Sequence, residues 1–353
     1  MLISFDSKTF VHSKISKLEK NSFVANLLRD KYSFFNKGTS GPKNFVSNLI
    51  LTIEKNNLAK TTFNFINSDI HLLNSGSFSP LWGNQFQPKR KDRVIVRLDG
   101  VGVDSEGINF EKTKNAFINI LNKGSFYIYQ SQFAKNCFSN IYHTNPKGRV
   151  ILNGAPDYNF EKKMANPLLK KINLQYKKNF YTLAGRFINR KRILEIINQF
   201  TNYDLGNLVV LSDVPEKMKV KNKRITYLGM TNPEIARLII SKSLALIHFD
   251  RYDWCPNIVI AALKDSVPVV CSNYGGTPEI VGKNGLIVNE FPQDLPHDLE
   301  GINFTKMSKF PGKIFRECIT DNLWKRNVKI HKNSFDLNKT AKDYVITASN
   351  LIK

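Results

Sequence analysis

Two cations near the middle of the chain have the residue types and spacing to stabilise a phosphate. Arg186 and Lys191 follow the apolar stretch that ends at Gly185, with four residues between them. Arginine grips a phosphate with two parallel donors, and lysine supplies a compact point charge. When they are held in place and shielded from water, such cations stabilise negative charge that grows on an oxygen as its bond breaks. Arg190 and Arg192 lie on either side of Lys191 and could substitute, and solvated surface cations are the alternative interpretation.

Two predicted helix starts add backbone donors to these side chains. Asn257, Ile258 and Val259 open a short apolar helix, and the unpaired N–H groups and the dipole of a helix start favour a phosphate. Gly41 ends a glycine turn, and Pro42 suits the first position of the helix that follows. A glycine turn between a strand and a helix is an anion site by geometry. An ordinary strand-to-helix turn is the alternative at Gly41, because short glycine motifs often match by chance.

A longer pattern surrounds the helix predicted at Asn257. From Asp253 to Val288 the chain reads as a turn, a short apolar helix, a buried strand at Val267–Cys271, a second turn, a helix start and a closing strand. The second turn and helix start read Gly275-Gly276-Thr-Pro-Glu279. This order is similar to the donor-site signature of the family 4 glycosyltransferases. The spacing Gly185-Arg186-x-x-x-x-Lys191 is similar to a second motif of that family.

The resemblance implies both a fold and an activity. Family 4 glycosyltransferases have the GT-B fold, in which two Rossmann-like, doubly wound parallel-sheet α/β domains face a cleft. The implied reaction is retaining transfer of a sugar from a nucleotide-diphosphate sugar to a glycan, lipid-linked or protein acceptor. The second domain would bind most of the donor, and neither a cofactor nor a metal ion is expected. The sequence does not identify the sugar, the nucleotide or the acceptor.

The same resemblance assigns roles to individual residues. Arg186 and Lys191 would be catalytic, because they would stabilise the leaving diphosphate. Asp253, also counted as catalytic, would address the sugar from the position where the family has a Glu; capping the following helix is a compatible alternative. The donor-binding residues would be Gly41, Asn257, Ile258, Val259, Gly275, Gly276 and Glu279. Glu279 could equally cap its own helix.

Two positions depart from the family pattern. Ala261 replaces the Glu that holds the ribose hydroxyls in the family, and Ser266 stands where Gly is usual. Losing a charged hydrogen bond of that kind costs ~1.5–3 kcal/mol, about tenfold to a hundredfold in affinity. A catalytically degenerate GT-B protein acting as a binding or structural module is therefore the alternative function, because a fold alone does not establish an activity.

Composition limits the classes of protein that this chain could belong to. Its 353 residues suggest two domains, and 52 Lys and Arg against 29 Asp and Glu give a net charge of +23. The lysines are scattered, which favours compositional drift with some attraction to an anionic donor or an anionic membrane surface over binding of nucleic acid.

The sequence also bears on the compartment. No apolar run approaches the ~18 residues of a membrane helix, and Met1–Phe10 does not read as a signal peptide. We therefore expect a cytoplasmic protein, with peripheral contact at the inner membrane face as a further option. Cys137, Cys255, Cys271 and Cys318 fit no metal-binding spacing and indicate free thiols.

Strands alternate with helices twice along the chain, which predicts two parallel sheets with helices on both faces. We place the N-terminal acceptor-side domain at 1–160, a linker at 161–178 and the donor domain at 179–335. An amphipathic helix at 336–353 is expected to cross back to the first domain. Helical spacing also predicts one buried helix face made by Phe45, Val46, Leu49, Ile50 and Ile53.

Smaller signals complete the sequence-based prediction. Ser131 is a predicted N-cap, Thr231–Glu234 a predicted capping box and Val150–Gly154 a predicted strand. Asp99 ends a strand and is a candidate acceptor contact, because ligands of α/β sheets bind beyond the carboxyl ends of the strands; a plain turn is the alternative. His248 lies in an apolar strand and reads as a core residue rather than a metal ligand or base.

Overall fold

Strands and helices alternate within two separate units of the computed structural model. The structure describes residues 1–5, 41–62, 67–75, 91–98, 100, 118, 121–158, 179–250, 253–289, 310–321, 324, 328 and 330–353. Within this set, the residues up to Pro156 together with Leu337–Lys353 form the first unit, and those from Asp157 to Asp336 form the second. The linker predicted at 161–178 lies outside the described residues, as does Asp99.

The first unit is built on a parallel sheet. Its strands are β1 (Leu2–Phe5), β2 (Lys60–Thr62), β3 (Ile70–Asn74), β4 (Val94–Leu98), β5 (Phe126–Tyr129) and β6 (Gly148–Val150). They lie in the order β2-β1-β3-β4-β5-β6. Every residue of β3 and β4 is buried, which is typical of parallel strands whose two faces are both covered.

The second unit has a sheet of the same kind. Its strands are β7 (Phe180–Ala184), β8 (Asn207–Leu211), β9 (Ile225–Tyr227), β10 (Leu246–His248), β11 (Val269–Ser272) and β12 (Gly285–Val288). They are parallel and lie in the order β12-β11-β10-β7-β8-β9. The core beside this sheet joins Ile196, Ile197 and Phe200 to Leu208 and Val210.

Helices connect and cover these strands. They are α1 (Gly41–Lys55), α2 (Gln132–Tyr142), α3 (Ile193–Asn202), α4 (Pro233–Ile240), α5 (Asn257–Lys264), α6 (Thr277–Val281), α7 (Gly312–Thr320) and α8 (Leu337–Ile352). The predicted apolar stripe of α1 is confirmed, because all five of its residues are buried. In the part of the chain that the structure describes, no helix is both long and apolar enough to span a bilayer.

The C-terminal helix α8 packs in the first unit against α1. The rings of Phe45 and Tyr344 lie 6.2 Å apart. The N–H of Leu337 donates to the carbonyl of Ala155 (3.1 Å), and a Cβ on Gly154 would come within 2.6 Å of the Leu337 Cα. This close approach of two backbones therefore requires glycine at position 154.

A buried polar network fixes the carboxyl edge of the first sheet. The Arg97 guanidinium donates to the side-chain oxygens of Asn74 and Asn153, at 2.9 Å each, and lies 4.4 Å from the centre of the Phe45 ring. Asn153 in turn donates to Gln130 at 3.1 Å. Because buried polar groups need such partners, the network joins β3, β4 and α1 to the segments that follow β5 and β6.

Two local predictions were wrong. The strand predicted at Val150–Gly154 is β6, which ends at Val150, because Asn153 and Gly154 are committed to the polar network and to the contact with Leu337. The N-cap of α4 is Asn232 rather than Thr231. The Asn232 side-chain oxygen accepts the N–H of Ile235 at 2.9 Å, and Pro233 occupies the first helical position.

Other local predictions hold. The Ser131 hydroxyl accepts the N–H of Ala134 at 3.0 Å and caps α2. Cys137, Cys255, Cys271 and Cys318 are all free thiols. Burial raises the pKa of Cys137 to about 12 and also raises the pKa of Cys271, so both thiols stay protonated at neutral pH.

Candidate functional site

A group of charged side chains lies at the point where the strand order of the second sheet reverses. From β7 the chain proceeds outward through β8 and β9, and later through β10, β11 and β12 in the opposite direction. Ligands of open α/β sheets bind beyond the carboxyl ends of the strands at such a switch point. The segment after β7 carries Arg190 and Lys191, and the segment after β10 carries Asp250 and Asp253.

Asp250 lies at the centre of this group. Its side chain is fully buried, and its Oδ2 lies 3.0 Å from the Lys191 Nζ. Its Oδ1 accepts a hydrogen bond from the Arg190 guanidinium. Arg190 and Lys191 keep 16% and 14% of their side-chain surface exposed, so both side chains reach the surface of the unit.

Asp253 extends the group toward solvent. One of its carboxylate oxygens lies 4.0 Å from the Lys191 Nζ and 3.6 Å from Nε2 of the buried His248. Burial alone would raise the pKa of Asp253. The contact with His248 and the charges of Lys191 and Arg190 outweigh burial and hold the pKa well below its usual range. Asp253 is therefore a carboxylate at neutral pH, able to accept hydrogen bonds.

Gly185 allows Lys191 to reach this position. Its φ is +149°, and a Cβ at residue 185 would lie 2.9 Å from the Cδ of Lys191. The Lys191 side chain thus lies directly across the backbone at the end of β7. The next turn is fixed by the N–H of Phe187, which donates to the carboxylate of Asp213 at 2.8 Å.

The Gly275-Gly276 turn supports the loop that carries Asp253. The N–H of Gly276 donates to the carbonyl of Asp253 at 2.8 Å. Gly275 has a φ of +73°, a left-handed conformation that glycine adopts at little cost. The conformation of this turn therefore helps to set the position of Asp253, although the two segments are separated in sequence by α5.

Helix α5 begins at Asn257, as predicted. The N–H of Val259 already donates to the carbonyl of Pro256 at 3.0 Å, so a phosphate at this helix start would have to share that donor. The buried face of α5 is made by Val259, Ile260, Ala262 and Leu263. Ala261 lies on the half-buried face, one turn beyond Asn257.

The site also contains three side chains that could ligate a metal ion. Each of His248, Asp250 and Asp253 offers one ligand atom, and these three atoms all lie within 4.8 Å of one another. Lys191 and Arg190 already neutralise Asp250, and Lys191 also faces Asp253. A metal ion at this position would have to displace these cations from Asp250.

The predicted site residues fall into two groups. Lys191, Asp253 and Gly276 are brought together at the switch point. Arg186 is exposed and forms no ion pair with any residue that the structure describes. Glu279 is exposed in the first turn of α6. Gly41 opens α1 of the other unit.

Solved structures of known proteins share this architecture, although no family model and no curated protein matches the sequence. A sucrose-phosphate synthase from Thermosynechococcus elongatus is similar, with a TM-score of 0.60 over 100% of this chain and 96% of its own, at 13% identity. HepE of Anabaena, in complex with UDP-glucose, has a TM-score of 0.59 over 99% of each chain, at 15% identity. A glycosyltransferase from Rickettsia africae has a TM-score of 0.55 over 100% of this chain and 98% of its own, at 16% identity. The chain has the GT-B fold.

Sequence reasoning missed two members of the group in this GT-B protein. Asp250 carried no motif, and His248 was predicted only as a core residue. His248 is indeed buried, but its ring also contacts Asp253. Their position along the chain could have indicated a role in the site. Both residues lie at or just beyond the carboxyl end of β10, which pairs with β7, the strand that leads to Lys191.

Proposed function

We propose that this chain is a glycosyltransferase similar to family 4, which moves a sugar from a nucleotide-diphosphate sugar to an acceptor. The observation that carries this proposal is the group at the switch point of the second sheet, where Lys191 lies beside Asp253 and shares the buried Asp250 with Arg190. A diphosphate needs fixed cations, and sugar hydroxyls need a hydrogen-bond acceptor.

In this reaction the anomeric carbon exchanges its bond to the diphosphate oxygen for a bond to an acceptor atom, which gives up its proton. Negative charge grows on the diphosphate oxygen as its bond breaks. Lys191 would stabilise that charge from its fixed position, and the exposed Arg186 would contribute a second cation on the solvent side. Asp253 would accept hydrogen bonds from the sugar. By family resemblance, the transfer retains the anomeric configuration and uses no metal ion.

Backbone groups would complete the donor site. The N–H groups of Asn257 and Ile258 at the start of α5 would face the phosphates, with Val259 sharing its donor. Gly275 and Gly276 would hold the donor loop, and Glu279 would orient it. Gly41 would leave room for the phosphates or the acceptor from the first unit. These contributions follow from the family resemblance and from the positions of the two turns.

The nucleotide panel for a first test follows from the proposed diphosphate site. HepE, one of the structural relatives, was solved with UDP-glucose, which makes UDP-sugars the first candidates.

A glycan, lipid-linked or protein acceptor would bind to the first unit, with Asp99 as a candidate contact. We propose no binding of nucleic acid, and an anionic membrane surface as a peripheral partner of this basic chain.

Thermal unfolding with UDP-, GDP- and ADP-sugars, and with a CMP-sugar, tests the proposal. A ligand at about a hundred times its dissociation constant should add ~2.7 kcal/mol to the free energy of unfolding. The CMP-sugar carries a single phosphate and should shift the transition less than the diphosphate donor with the preferred base. If no member of the panel raises the transition of the folded protein, the nucleotide-sugar proposal is wrong.

Variants then test the two predicted cations. We expect Lys191→Ala to weaken binding of the active donor about tenfold to a hundredfold, because a charged hydrogen bond is lost. Arg186→Ala should lower the rate of transfer once an acceptor is found. Lys219→Ala removes the same charge from a lysine that pairs with Glu216 and serves as the matched control. Equal donor affinity in Lys191→Ala and Lys219→Ala would contradict the assignment of Lys191.

A third variant tests the departure from the family pattern at Ala261. If this position faces the ribose, Ala261→Glu should tighten nucleotide binding, because a carboxylate would accept hydrogen bonds from the ribose hydroxyls. Calorimetric titration with UDP measures the change. Equal or weaker affinity would show that residue 261 does not face the ribose.

A further inference from the structure

A single buried carboxylate engages two cations that are neighbours in sequence. Each oxygen of Asp250 serves one of them: Oδ1 accepts from Arg190, and Oδ2 lies 3.0 Å from the Lys191 Nζ. The Asp250 side chain has no exposed surface, whereas Arg190 and Lys191 retain exposed faces. The carboxylate is therefore buried more deeply than the side chains of the two cations that it binds.

The turn that carries the two cations directs both toward Asp250. Asn189–Lys191 form one turn of 3-10 helix, which ends at Arg192 in a left-handed conformation with a φ of +52°. The Arg192 side chain is buried, with its guanidinium carbon 5.5 Å from the centre of the Phe310 ring. Because Arg192 is held in the core, Arg190 and Lys191 both reach the carboxylate of Asp250 from adjacent positions in the chain.

Two cations held close together repel each other, and the repulsion grows in a partly buried site. A buried carboxylate between them offsets that repulsion and limits the number of rotamers that each long side chain can adopt. Such pre-orientation matters for a diphosphate, because cations that are already in place need no rearrangement as charge develops. The cost of burying Asp250 is met by two charged partners, as buried charges require.

We propose that Asp250 is a positioning residue, which holds Arg190 and Lys191 as a preorganised pair for the diphosphate of the donor. This inference rests on the proposed function for its ligand, but the placement of the cations can be tested without one. Asp250 itself touches neither the diphosphate nor the sugar. Arg190 thereby becomes a member of the donor site, in addition to the Arg186 and Lys191 of the sequence motif.

The first test measures the placement of Lys191 directly. Lys191 in the native protein and in Asp250→Asn is labelled by reductive methylation, and the rate is followed by peptide mass spectrometry. We expect faster labelling of Lys191 in the variant, because its amine loses the partner that holds it in the half-buried position. Asp265→Asn is the matched control, since Asp265 is also a buried carboxylate that binds an arginine, Arg237. An unchanged rate at Lys191 in folded Asp250→Asn would overturn the proposal.

The second test measures anion affinity with inorganic pyrophosphate and with UDP as probes. The Asp250→Asn change removes a negative charge, and that alone would tighten binding of an anion. If Asp250 positions the cations, the affinity for both probes should instead fall about tenfold or more, because the cations lose their alignment. Asp265→Asn removes the same charge without touching Lys191 or Arg190, and it should bind both probes at least as tightly as the native protein does. Equal or tighter binding by Asp250→Asn would also overturn the proposal.

A double variant separates positioning from general destabilisation. If Asp250 acts through Lys191 and Arg190, Asp250→Asn should lower the affinity for the probes by a smaller factor in the Lys191→Ala variant than in the native protein. Full additivity of the two losses would contradict this inference while leaving the donor site intact. If the native protein binds neither these probes nor any member of the nucleotide-sugar panel, the proposed function fails, and the methylation rates alone decide whether Asp250 positions the cations.

Discussion

At the scale of single residues, the reach of Lys191 depends on the absence of a side chain at position 185. The Cβ of any other residue at this position would lie 2.9 Å from the Lys191 Cδ and 3.3 Å from its Nζ, closer than van der Waals contact. We expect Gly185→Ala to displace Lys191 and to weaken UDP binding about tenfold or more. The variant should also lose about 1–2 kcal/mol of stability, because alanine is strained at positive φ.

Gly229→Ala is the matched control for this substitution. Gly229 has a φ of +68°, and no atom lies within 4 Å of where its Cβ would be. The Gly229→Ala variant should therefore have the same kind of backbone strain as Gly185→Ala, without any effect on the site. Chemical denaturation gives the two stability losses, and titration with UDP gives the affinities. The interpretation of Gly185 is wrong if both variants bind UDP equally well.

Ser266 adopts a backbone conformation that glycine prefers. It follows the C-terminus of α5 with a φ of +62°. Its N–H donates to the carbonyl of Leu263, and the N–H of Val267 donates to the carbonyl of Ala262 (2.8 Å), the pair of bonds that closes a helix at a left-handed residue. We expect Ser266→Gly to raise the free energy of unfolding by up to about 1 kcal/mol, because relief of the strain outweighs the added freedom of the unfolded chain.

Asn57 provides a built-in comparison for Ser266. It ends α1 with a φ of +52° and the same two backbone bonds, from Asn57 to Glu54 and from Leu58 to Ile53. Because asparagine adopts the left-handed region more readily than serine, Asn57→Gly should gain less stability than Ser266→Gly. Urea denaturation compares the two variants, and a loss of stability in Ser266→Gly would contradict the strain argument.

At the scale of elements, the start of α4 shows how one residue changes the energetics of a cap. Asn232 accepts the N–H of Ile235, whereas the buried Thr231 hydroxyl makes no hydrogen bond with another residue that the structure describes. We expect Asn232→Ala to cost about 1 kcal/mol and Thr231→Ala to cost less. Denaturation of both variants measures the difference. A larger loss in Thr231→Ala would restore the capping box that the sequence predicts.

The sequence predicted elements whose residues repeat at a local period. The stripe of α1 from Phe45 to Ile53 and the helix after Ser131 depend only on neighbours within a few turns. Strands β1 and β2 were not predicted, because Leu2–Phe5 and Lys60–Thr62 are too short to show a period. Their pairing depends on partners distant in sequence.

The candidate site was only partly predictable for the same reason. Lys191 and Asp253 could be selected because they belong to spaced motifs. Asp250 and His248 could not, because their contact with Lys191 and Asp253 exists only once β10 pairs with β7. A one-dimensional pattern does not state which strand lies beside which, so charge partners across a switch point become visible only in the folded sheet.

At the scale of the whole molecule, the two units have separate hydrophobic cores. The first core combines α1 and the strands of its sheet with Leu337, Ala341 and Tyr344 of α8, so this unit is completed only by the C-terminal end of the chain. The second core joins α3 to its own sheet and to Phe315 of α7. A chain with two cores need not unfold in one cooperative step.

Two core substitutions and one ligand test this separation. Leu49 of the first core and Ile197 of the second are both fully buried, and each change to Ala should cost about 2–5 kcal/mol. Hydrogen exchange should accelerate mainly in α1 and β4 for Leu49→Ala, and mainly in α3 and β8 for Ile197→Ala. Saturating UDP should slow exchange in the second unit of both variants, because the proposed donor site lies there. Equal acceleration of exchange in both units by either variant would show that the two cores unfold together. If UDP slowed exchange only in the first unit, the nucleotide would not bind at the proposed donor site.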